Sequence, residues 1–148
     1  MLVLGTDGVL AHKILLVDDN RMGLIARKTV LAENGYDVTT VDRPDRALAL
    51  LEEQSFSLVV TDYKMPKMTG TQLIACMRGA GYRAPIILIS GYVEALGLNE
   101  ANTGADIVIQ KGSLEVPQLL HAVRTLLHIR KLPVSARPTA AARKRRKA

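Results

Sequence analysis

Residues 58–70 read LVVTDYKMPKMTG, and they carry the clearest indication of the chain's architecture. The run Leu58-Val-Val-Thr61 is short, apolar and rich in β-branched residues, which is typical of a strand buried on both faces. The run ends at Asp62, and the residues after it include Pro66 and Gly70, which favour a turn. This stretch therefore predicts a buried strand with a carboxylate at its carboxyl end.

Strands and helices alternate on both sides of this run. Apolar patterns predict four more strands, at 13–17, 38–41, 86–89 and 107–109, and helices at 21–34, 44–53, 71–78, 93–103 and 117–130. Gly35 is placed to end the first helix, and Pro44 to begin the second. The helix at 93–103 contains Gly97 and other weak helix formers, so we expect it to be short or mobile.

Five strands that alternate with five helices predict a parallel sheet covered by helices on both faces. Right-handed crossovers then give a single α/β domain with a flavodoxin-like, doubly wound sheet in the strand order 2-1-3-4-5. We place this domain at residues 13–130, after an N-terminal leader at 1–12 and before a basic tail at 131–148. The leader is either a disordered segment or an added strand, and the sequence leaves both open. In such sheets, ligands bind outside the carboxyl ends of the strands.

Polar side chains follow the carboxyl ends of four predicted strands. Asp18 and Asp19 follow the first strand and Asp62 the third. Ser90 follows the fourth strand and Lys111 the fifth. Three neighbouring carboxylates repel one another, and a divalent cation with oxygen ligands, Mg2+ above all, removes that penalty. One aspartate can then act as a nucleophile toward a phosphoryl group, whose oxygens the hydroxyl and the ammonium can contact.

Each of these residues also has an ordinary interpretation. Asp18 and Asp19 fit N-terminal caps of the first helix. Asp62 fits an ordinary turn residue, and Lys111 fits a solvated surface lysine. Their joint occurrence at successive strand ends favours the functional interpretation.

Four motifs follow one another along the chain: Asp18-Asp19, Asp62-Tyr-Lys-Met-Pro-Lys-Met-Thr-Gly70, Ser90-Gly91 and Gly104-Ala-Asp with Lys111. Together, and in this order, they resemble the receiver domain of two-component response regulators. The resemblance runs from about residue 13 to residue 130. It implies that Asp62 is the phosphoacceptor, that Ser90 is the switch hydroxyl and that Lys111 contacts the phosphoryl group.

The resemblance also implies a magnesium site. Its ligands would be Asp18 and Asp19, directly or through water, with Asp62 and the backbone carbonyl of Lys64. The segment from Met65 to Gly70 would shape the turn after the phosphoacceptor, with the glycine adopting backbone angles that other residues avoid.

The implied function is that of a single-domain response regulator in two-component signal transduction. It would accept a phosphoryl group from a histidine kinase or a histidine phosphotransfer protein, and thereby switch a surface that binds an unidentified downstream protein. It would not be an enzyme, apart from catalysing its own phosphorylation and slow dephosphorylation.

An enzyme with an aspartyl-phosphate intermediate, such as a haloacid-dehalogenase-like phosphatase, is the alternative function. Those enzymes carry D-x-D after the first strand, whereas Asp18 and Asp19 are adjacent. A receiver that no longer takes phosphate is a further alternative, disfavoured because every acidic residue and Lys111 are present.

Composition fits a cytoplasmic globular protein. Apolar residues make up 48% of the 148 residues, which is enough for a hydrophobic core. No apolar run reaches the ~18 residues that a membrane span needs. The N-terminus is a poor signal peptide, and a single cysteine suits a reducing compartment.

Two positions depart from the family pattern. Gly112 follows Lys111 where the family usually has proline, often after a cis bond, so we predict a trans or locally rearranged peptide here. Val108 stands three residues before the lysine, where the family usually has an aromatic switch residue. Either loop movement after Ser90 carries the switch, or Tyr92 supplies the ring.

Helix 21–34 has more apolar residues than one face can hold. Met22, Ala26 and Val30, with Leu31 beside them, share one face at helical spacing. This leaves Leu24 and Ile25 as a candidate docking surface next to the acidic residues.

Basic residues are concentrated at the carboxyl end. Residues 130–148 contain eight Lys and Arg and no acid, whereas the rest carries 12 Lys and Arg against 14 Asp and Glu, a net charge of −2. The tail is expected to be disordered. Weak nonspecific nucleic-acid binding, binding to an acidic membrane or protein surface, and a solubilising role all remain open. Too few residues follow the domain for a DNA-binding output domain, and this favours a stand-alone receiver. The sequence also leaves open whether the protein forms a homodimer.

Overall fold

The computed structural model describes residues 2–4 and 10–128. Strands form where Val, Ile and Leu are concentrated, and six are found in the described residues: β1 (Leu2–Leu4), β2 (Leu10–Val17), β3 (Asp37–Val41), β4 (Leu58–Asp62), β5 (Ile86–Ser90) and β6 (Ile107–Gln110). The same residues form six helices: α1 (Arg21–Glu33), α2 (Pro44–Glu53), α3 (Gly70–Gly79), α4 (Val93–Leu96), α5 (Glu100–Thr103) and α6 (Glu115–Leu127). The predicted basic tail lies outside the described residues.

Five of the strands form the parallel sheet that the sequence predicts. They lie in the order β3-β2-β4-β5-β6, which is the flavodoxin-like order 2-1-3-4-5 once β1 is set aside. The additional strand β1 pairs antiparallel with the start of β2, so that Leu2 faces His12 and Leu4 faces Leu10. Strand β1 and the first residues of β2 therefore lie within residues 1–12, the segment that we interpreted as a leader.

The sheet separates two hydrophobic cores. Successive residues of a strand point to opposite faces, so Ile14 and Leu16 of β2 pack with α1 and α6, whereas Leu15 and Val17 pack with α2 and α3. All five residues of β4 and all five of β5 are buried, as expected for central parallel strands. Within the described part of the chain, no helix is long and apolar enough to cross a membrane.

The buried face of α1 differs from the predicted one. Leu24, Arg27 and Leu31 are buried, at the spacing i, i+3, i+7 that one helix face requires. Met22 is 75% exposed and Ala26 is also exposed, so the predicted face was wrong for these two residues, whereas Leu31 is buried and Val30 is partly buried.

The candidate docking pair on α1 is divided by this arrangement. Leu24 belongs to the core that α1 shares with α6, and it is only 7% exposed. Ile25 is 58% exposed and remains available at the surface. The predicted docking surface is therefore wrong for Leu24.

The predicted helix at 93–103 is broken into two short helices. Helix α4 ends at Gly97, which has the left-handed φ of 62° that favours glycine. Helix α5 starts after Asn99, whose side chain accepts a hydrogen bond from the backbone N–H of Asn102, while the Asn102 side chain accepts from Asn99 in return. The weak helix formers therefore give short helices, as predicted.

The last helix begins earlier than predicted, at Glu115, and its predicted end at Arg130 lies outside the described residues. Leu119, Val123, Leu126 and Leu127 are buried as predicted, and Leu120 is partly buried. No cis peptide bond occurs in the described residues, so the Lys111–Gly112 bond is trans, as predicted.

Candidate functional site

The carboxyl ends of β2 and β4 bring three carboxylates together. Asp18 and Asp19 follow β2, Asp62 ends β4, and each offers an oxygen within 4.8 Å of an oxygen of the other two. Asp18 is 2% exposed and Asp62 5%, whereas Asp19 is exposed to solvent. This is the convergence that the parallel topology predicts, since neighbouring strands end at the same edge of the sheet.

Asp18 is held by donors at both of its oxygens. Its Oδ1 accepts a hydrogen bond of 2.9 Å from the backbone N–H of Asn20. Its Oδ2 accepts one of 2.5 Å from the guanidinium of Arg27. The cap of α1 is Asn20, whose side chain accepts from the N–H of Gly23, so neither aspartate serves as the helix cap.

Asp62 has a buried carboxylate that is incompletely satisfied. The ammonium Nζ of Lys111 lies 2.6 Å from Oδ1 in an ion pair. The direction of that contact is poorly aligned for a hydrogen bond, and no other described residue donates one to Oδ1. Burial raises the pKa of Asp62, and the charge of Asp18 raises it further, while Lys111 and Arg27 act in the opposite direction.

Lys111 and Ser90 are fixed relative to each other by the backbone. The N–H of Lys111 donates to the carbonyl of Ser90 across 2.9 Å, which ties the end of β6 to the end of β5. The Ser90 side chain is 1% exposed, and its Oγ accepts from the N–H of Tyr92 at 2.9 Å. A displacement of this hydroxyl would therefore disturb the first residues after β5.

An open depression of about 850 Å³ lies at this edge of the sheet. Its walls contain residues from four segments that follow strands: Asp19, Asn20, Asp62, Lys64, Met65, Pro66, Gly91, Tyr92 and Lys111. At its rim, the ammonium of Lys64 donates to the hydroxyl of Tyr92 at 3.3 Å and lies 5.5 Å from the ring centroid. The site is therefore open to a ligand the size of a phosphoryl group.

Gly70 is required by close packing and not by an unusual backbone angle. The left-handed residue of the loop after β4 is Lys67, with a φ of 71°, whereas Gly70 begins α3. A Cβ at position 70 would lie 2.3 Å from the carbonyl oxygen of Asp62 and 2.7 Å from a methyl carbon of Leu88. The sequence suggested that this glycine is needed for its backbone angles, and that reason was wrong. Its position directly after the turn, at the start of α3, agrees with the prediction.

Val108, which departs from the family pattern, and Tyr92, the alternative source of an aromatic ring, both lie on the β5–β6 side. Val108 is partly buried and packs against the core beneath α2 and α3. Tyr92 is 40% exposed and faces Lys64. The structure thus places an aromatic ring beside the depression, but on the loop after β5 and not on β6.

Two charged residues beside the acidic cluster, Arg27 and Glu115, were not identified from the sequence. Arg27 bridges Asp18 and Glu115, with its Nε 2.7 Å from the Glu115 carboxylate. Burial alone would lower the pKa of Arg27, but the hydrogen bonds to Glu115 and Asp18 more than offset this effect, so the pKa lies above its usual value. Arg27 lies three residues after Leu24 and four before Leu31, on the buried stripe of α1, but the equally regular pattern of Met22, Ala26 and Val30 hid this signal in the sequence.

The donor set suits a hard divalent cation. Three carboxylates supply oxygen ligands, and Asp62 retains an oxygen without a well-aligned donor. Such ligands favour Mg2+, which commonly uses few carboxylates and keeps several waters. The residues present therefore fit a magnesium ion, with no thiolate or imidazole in the cluster to favour a softer metal.

Comparison with known proteins identifies the same region of the chain. A family model described as the response regulator receiver domain matches residues 14–124. The response regulator protein FleR of Pseudomonas aeruginosa is 36% identical over 83 residues, which is 56% of this chain and 18% of FleR. The chain spans 8 to 50% of the length of the curated relatives compared.

Solved structures agree with the fold. The response regulator protein TrrA of Thermotoga maritima, crystallised in complex with Mg(2+)-BeF, has a TM-score of 0.68 and 28% identity. The match covers 78% of this chain and 99% of TrrA. A CheY-like response regulator receiver domain protein from Methanospirillum hungatei has a TM-score of 0.73 and 29% identity, and the match covers 82% of this chain and 97% of that protein.

Proposed function

The chain belongs to the response regulator receiver domain family, and from this premise we propose that Asp62 accepts a phosphoryl group in a reaction that requires Mg2+. One observation carries the proposal. Asp62 lies in the cluster with Asp18 and Asp19, and its own carboxylate contacts the Lys111 ammonium at 2.6 Å. A nucleophilic carboxylate, a metal site and a cation for the incoming oxygens are thus assembled at one strand end.

The metal ligands in this proposal are Asp18, Asp19, Asp62 and the backbone carbonyl of Lys64. When bound, Mg2+ neutralises the charge of the acidic cluster and of the phosphoryl oxygens. The complex of the related TrrA with Mg(2+)-BeF supports the assignment, because the two folds match over 78% of this chain. Residues 13–130 form the receiver domain, and residues 131–148 the tail that follows it.

In the transfer step, an oxygen of Asp62 forms a bond to phosphorus. The bond between phosphorus and the imidazole nitrogen of the donor histidine breaks, and that nitrogen keeps the electron pair. The donor is a histidine kinase or a histidine phosphotransfer protein. Asp62 must be ionised to attack, so Lys111 and the metal have to counteract the burial that raises its pKa.

The response to phosphorylation starts at Ser90. Its hydroxyl donates to a phosphoryl oxygen, while its Oγ now accepts from the Tyr92 N–H. Movement of Ser90 toward the phosphoryl group pulls on or breaks that bond, and so shifts the loop that leads into α4. Because Val108 is small, this loop and Tyr92 carry the change to the surface that a downstream protein recognises.

The proposal is tested by incubating the protein with Mg2+ and a small phosphodonor such as acetyl phosphate, followed by intact-protein mass spectrometry. One phosphoryl group per chain is expected, and none after removal of Mg2+ by a chelator or in Asp62→Asn. Asp45→Asn, at an exposed carboxylate on α2, is the matched control and should be modified like the wild type. A normal adduct in Asp62→Asn would refute the proposal, and repeated turnover of phosphomonoesters would favour a phosphatase instead.

A further inference from the structure

Arg27 is a buried charge beside the acidic cluster. Its side chain is 9% exposed, and it lies between Asp18, at 2.5 Å, and Glu115, at 2.7 Å. The two carboxylates come from opposite ends of the domain sequence, one after β2 and the other in the first turn of α6. The guanidinium thus links the proposed metal site to the start of the last helix.

The surrounding residues leave room for this contact. Gly23 lies on α1 one turn before Arg27, and a Cβ there would be 2.9 Å from the Oδ2 of Asp18 and 3.1 Å from the guanidinium. Such distances are shorter than ordinary carbon contacts, so any larger residue would push the pair apart. Glycine at position 23 is therefore part of the arrangement that holds Arg27 against Asp18.

A fixed cation at this position affects any other cation that binds the cluster. Because both partners are buried, the charge of Arg27 is screened less than that of a surface residue. Arg27 compensates Asp18 when no metal is bound, and it repels a divalent ion that approaches the same carboxylate. Glu115 offsets part of the positive charge and competes with Asp18 for the guanidinium.

We propose that Arg27 is a built-in counter-ion of Asp18 that competes with Mg2+, and that Glu115 sets the strength of this competition. The inference rests on the proposed function, because it concerns the affinity of the proposed magnesium site. It explains how a buried acidic cluster remains folded without metal. It also makes the ion pair at the start of α6 sensitive to the occupancy of the metal site.

The test is isothermal titration calorimetry of the full chain with Mg2+ alone, on variants with opposite expected effects. Arg27→Met removes the competing cation and should bind Mg2+ about tenfold more tightly than the wild type. Glu115→Gln removes the second carboxylate that pairs with Arg27, so the guanidinium pairs with Asp18 alone. This variant should bind Mg2+ several-fold more weakly than the wild type. Arg27→Lys keeps the charge and should stay near the wild type. A merely structural role for the bridge would weaken binding in both Arg27→Met and Glu115→Gln.

Arg43→Met is the matched control, because it removes an exposed ion pair with Asp45 elsewhere and should leave the Mg2+ affinity unchanged. Equal or weaker Mg2+ binding by Arg27→Met would overturn the inference while leaving the proposed function intact. Absence of Mg2+ binding by the wild type would instead refute the proposed metal site itself. If Arg27→Met does not fold, Arg27→Gln takes its place, because it keeps a hydrogen-bond donor but removes the charge; tighter Mg2+ binding supports the competition, and unchanged or weaker binding overturns it.

Discussion

Asp18 and Asp62 belong to one acidic cluster and are both almost fully buried, but their counter-ions differ. Asp18 pairs with Arg27, whose side chain is 9% exposed, and its second oxygen accepts the Asn20 N–H. Asp62 pairs with Lys111, whose side chain is 35% exposed and whose ammonium is poorly aligned with Oδ1. A carboxylate with a donor at each oxygen therefore lies beside one that keeps an oxygen without a well-aligned donor, so the two should differ in how readily they accept a further ligand.

Each of these aspartates is also approached closely by a glycine of the following helix. At Gly23 the nearest atoms are side-chain atoms of Asp18 and Arg27, which can shift. At Gly70 the nearest atom is the backbone carbonyl of Asp62, which cannot move without moving β4. The surroundings of Asp18 are therefore fixed by charge, and those of Asp62 by backbone packing.

The largest expected effect is loss of stability on removing the fixed cation. Arg27→Met leaves Asp18, which is buried, and Glu115, which is partly buried, without their shared partner, and breaking a buried ion pair in this way costs about 3–5 kcal/mol. Urea denaturation of the metal-free protein measures the free energy of unfolding. Arg43→Met, whose ion pair with Asp45 is exposed, should lose much less. Equal losses of unfolding free energy in the two variants would contradict the claim that the buried ion pair of Arg27 matters more for stability than an exposed one.

Lys111→Met should impair the chemistry at Asp62 more than the stability of the fold. The lysine lowers the pKa of Asp62 and, in the proposed reaction, would contact the phosphoryl oxygens, so its loss should slow phosphoryl acceptance about 10²-fold. The rate with acetyl phosphate and Mg2+ is the measurement. Lys28→Met, on the exposed side of α1, is the control and should react normally. A wild-type rate in Lys111→Met would show that this ion pair is not used in the transfer.

The two glycines should respond differently to the same methyl group. Gly70→Ala forces backbone movement next to Asp62 and should cost about 1–3 kcal/mol. Gly23→Ala meets movable side chains and gains helix propensity, so it should cost less. Gly79→Ala has nothing within 4 Å and is the control. Thermal unfolding of the three variants ranks them, and a smaller loss in Gly70→Ala than in Gly23→Ala would contradict the packing argument.

The smallest effect is expected from neutralising Asp62 in the metal-free protein. Its pKa is raised by burial, so the protonated form is favoured in the folded state. That contribution is fully present below about pH 4, the ordinary pKa of aspartate, and is lost as the pH rises through the folded-state pKa. Asp62→Asn should therefore match the wild type in acid and be modestly more stable at neutral pH. A neutral-pH loss of stability in this variant would mean that the ionised carboxylate is well stabilised.

The parts of the fold that depend on local pattern were predictable. Leu58-Val-Val-Thr61 and the similar runs define the central strands, and parallel topology then places Asp18, Asp62 and Lys111 at one edge. The face of α1 was not predictable from apolar spacing, because Met22, Ala26 and Val30 form as regular a pattern as Leu24 and Leu31.

The contacts that tune the site were also beyond the sequence. Arg27 and Glu115 are 88 residues apart, and no local pattern indicates that they meet. Gly70 was recognised as special, but its reason is a distance of 2.3 Å from a β4 carbonyl, which only the packed structure reveals. The extra strand β1 depends on pairing with the start of β2 and has no strong pattern of its own.

The most direct test of the central claim locates the phosphoryl group on the chain. The protein is treated with acetyl phosphate and Mg2+ and then with borohydride, which reduces an aspartyl phosphate to homoserine, and the peptides are sequenced by tandem mass spectrometry. Phosphorylation of Asp62 should give homoserine at position 62, dependent on Mg2+, with Asp18 and Asp19 unchanged. Homoserine at another aspartate, with position 62 unmodified, would contradict it.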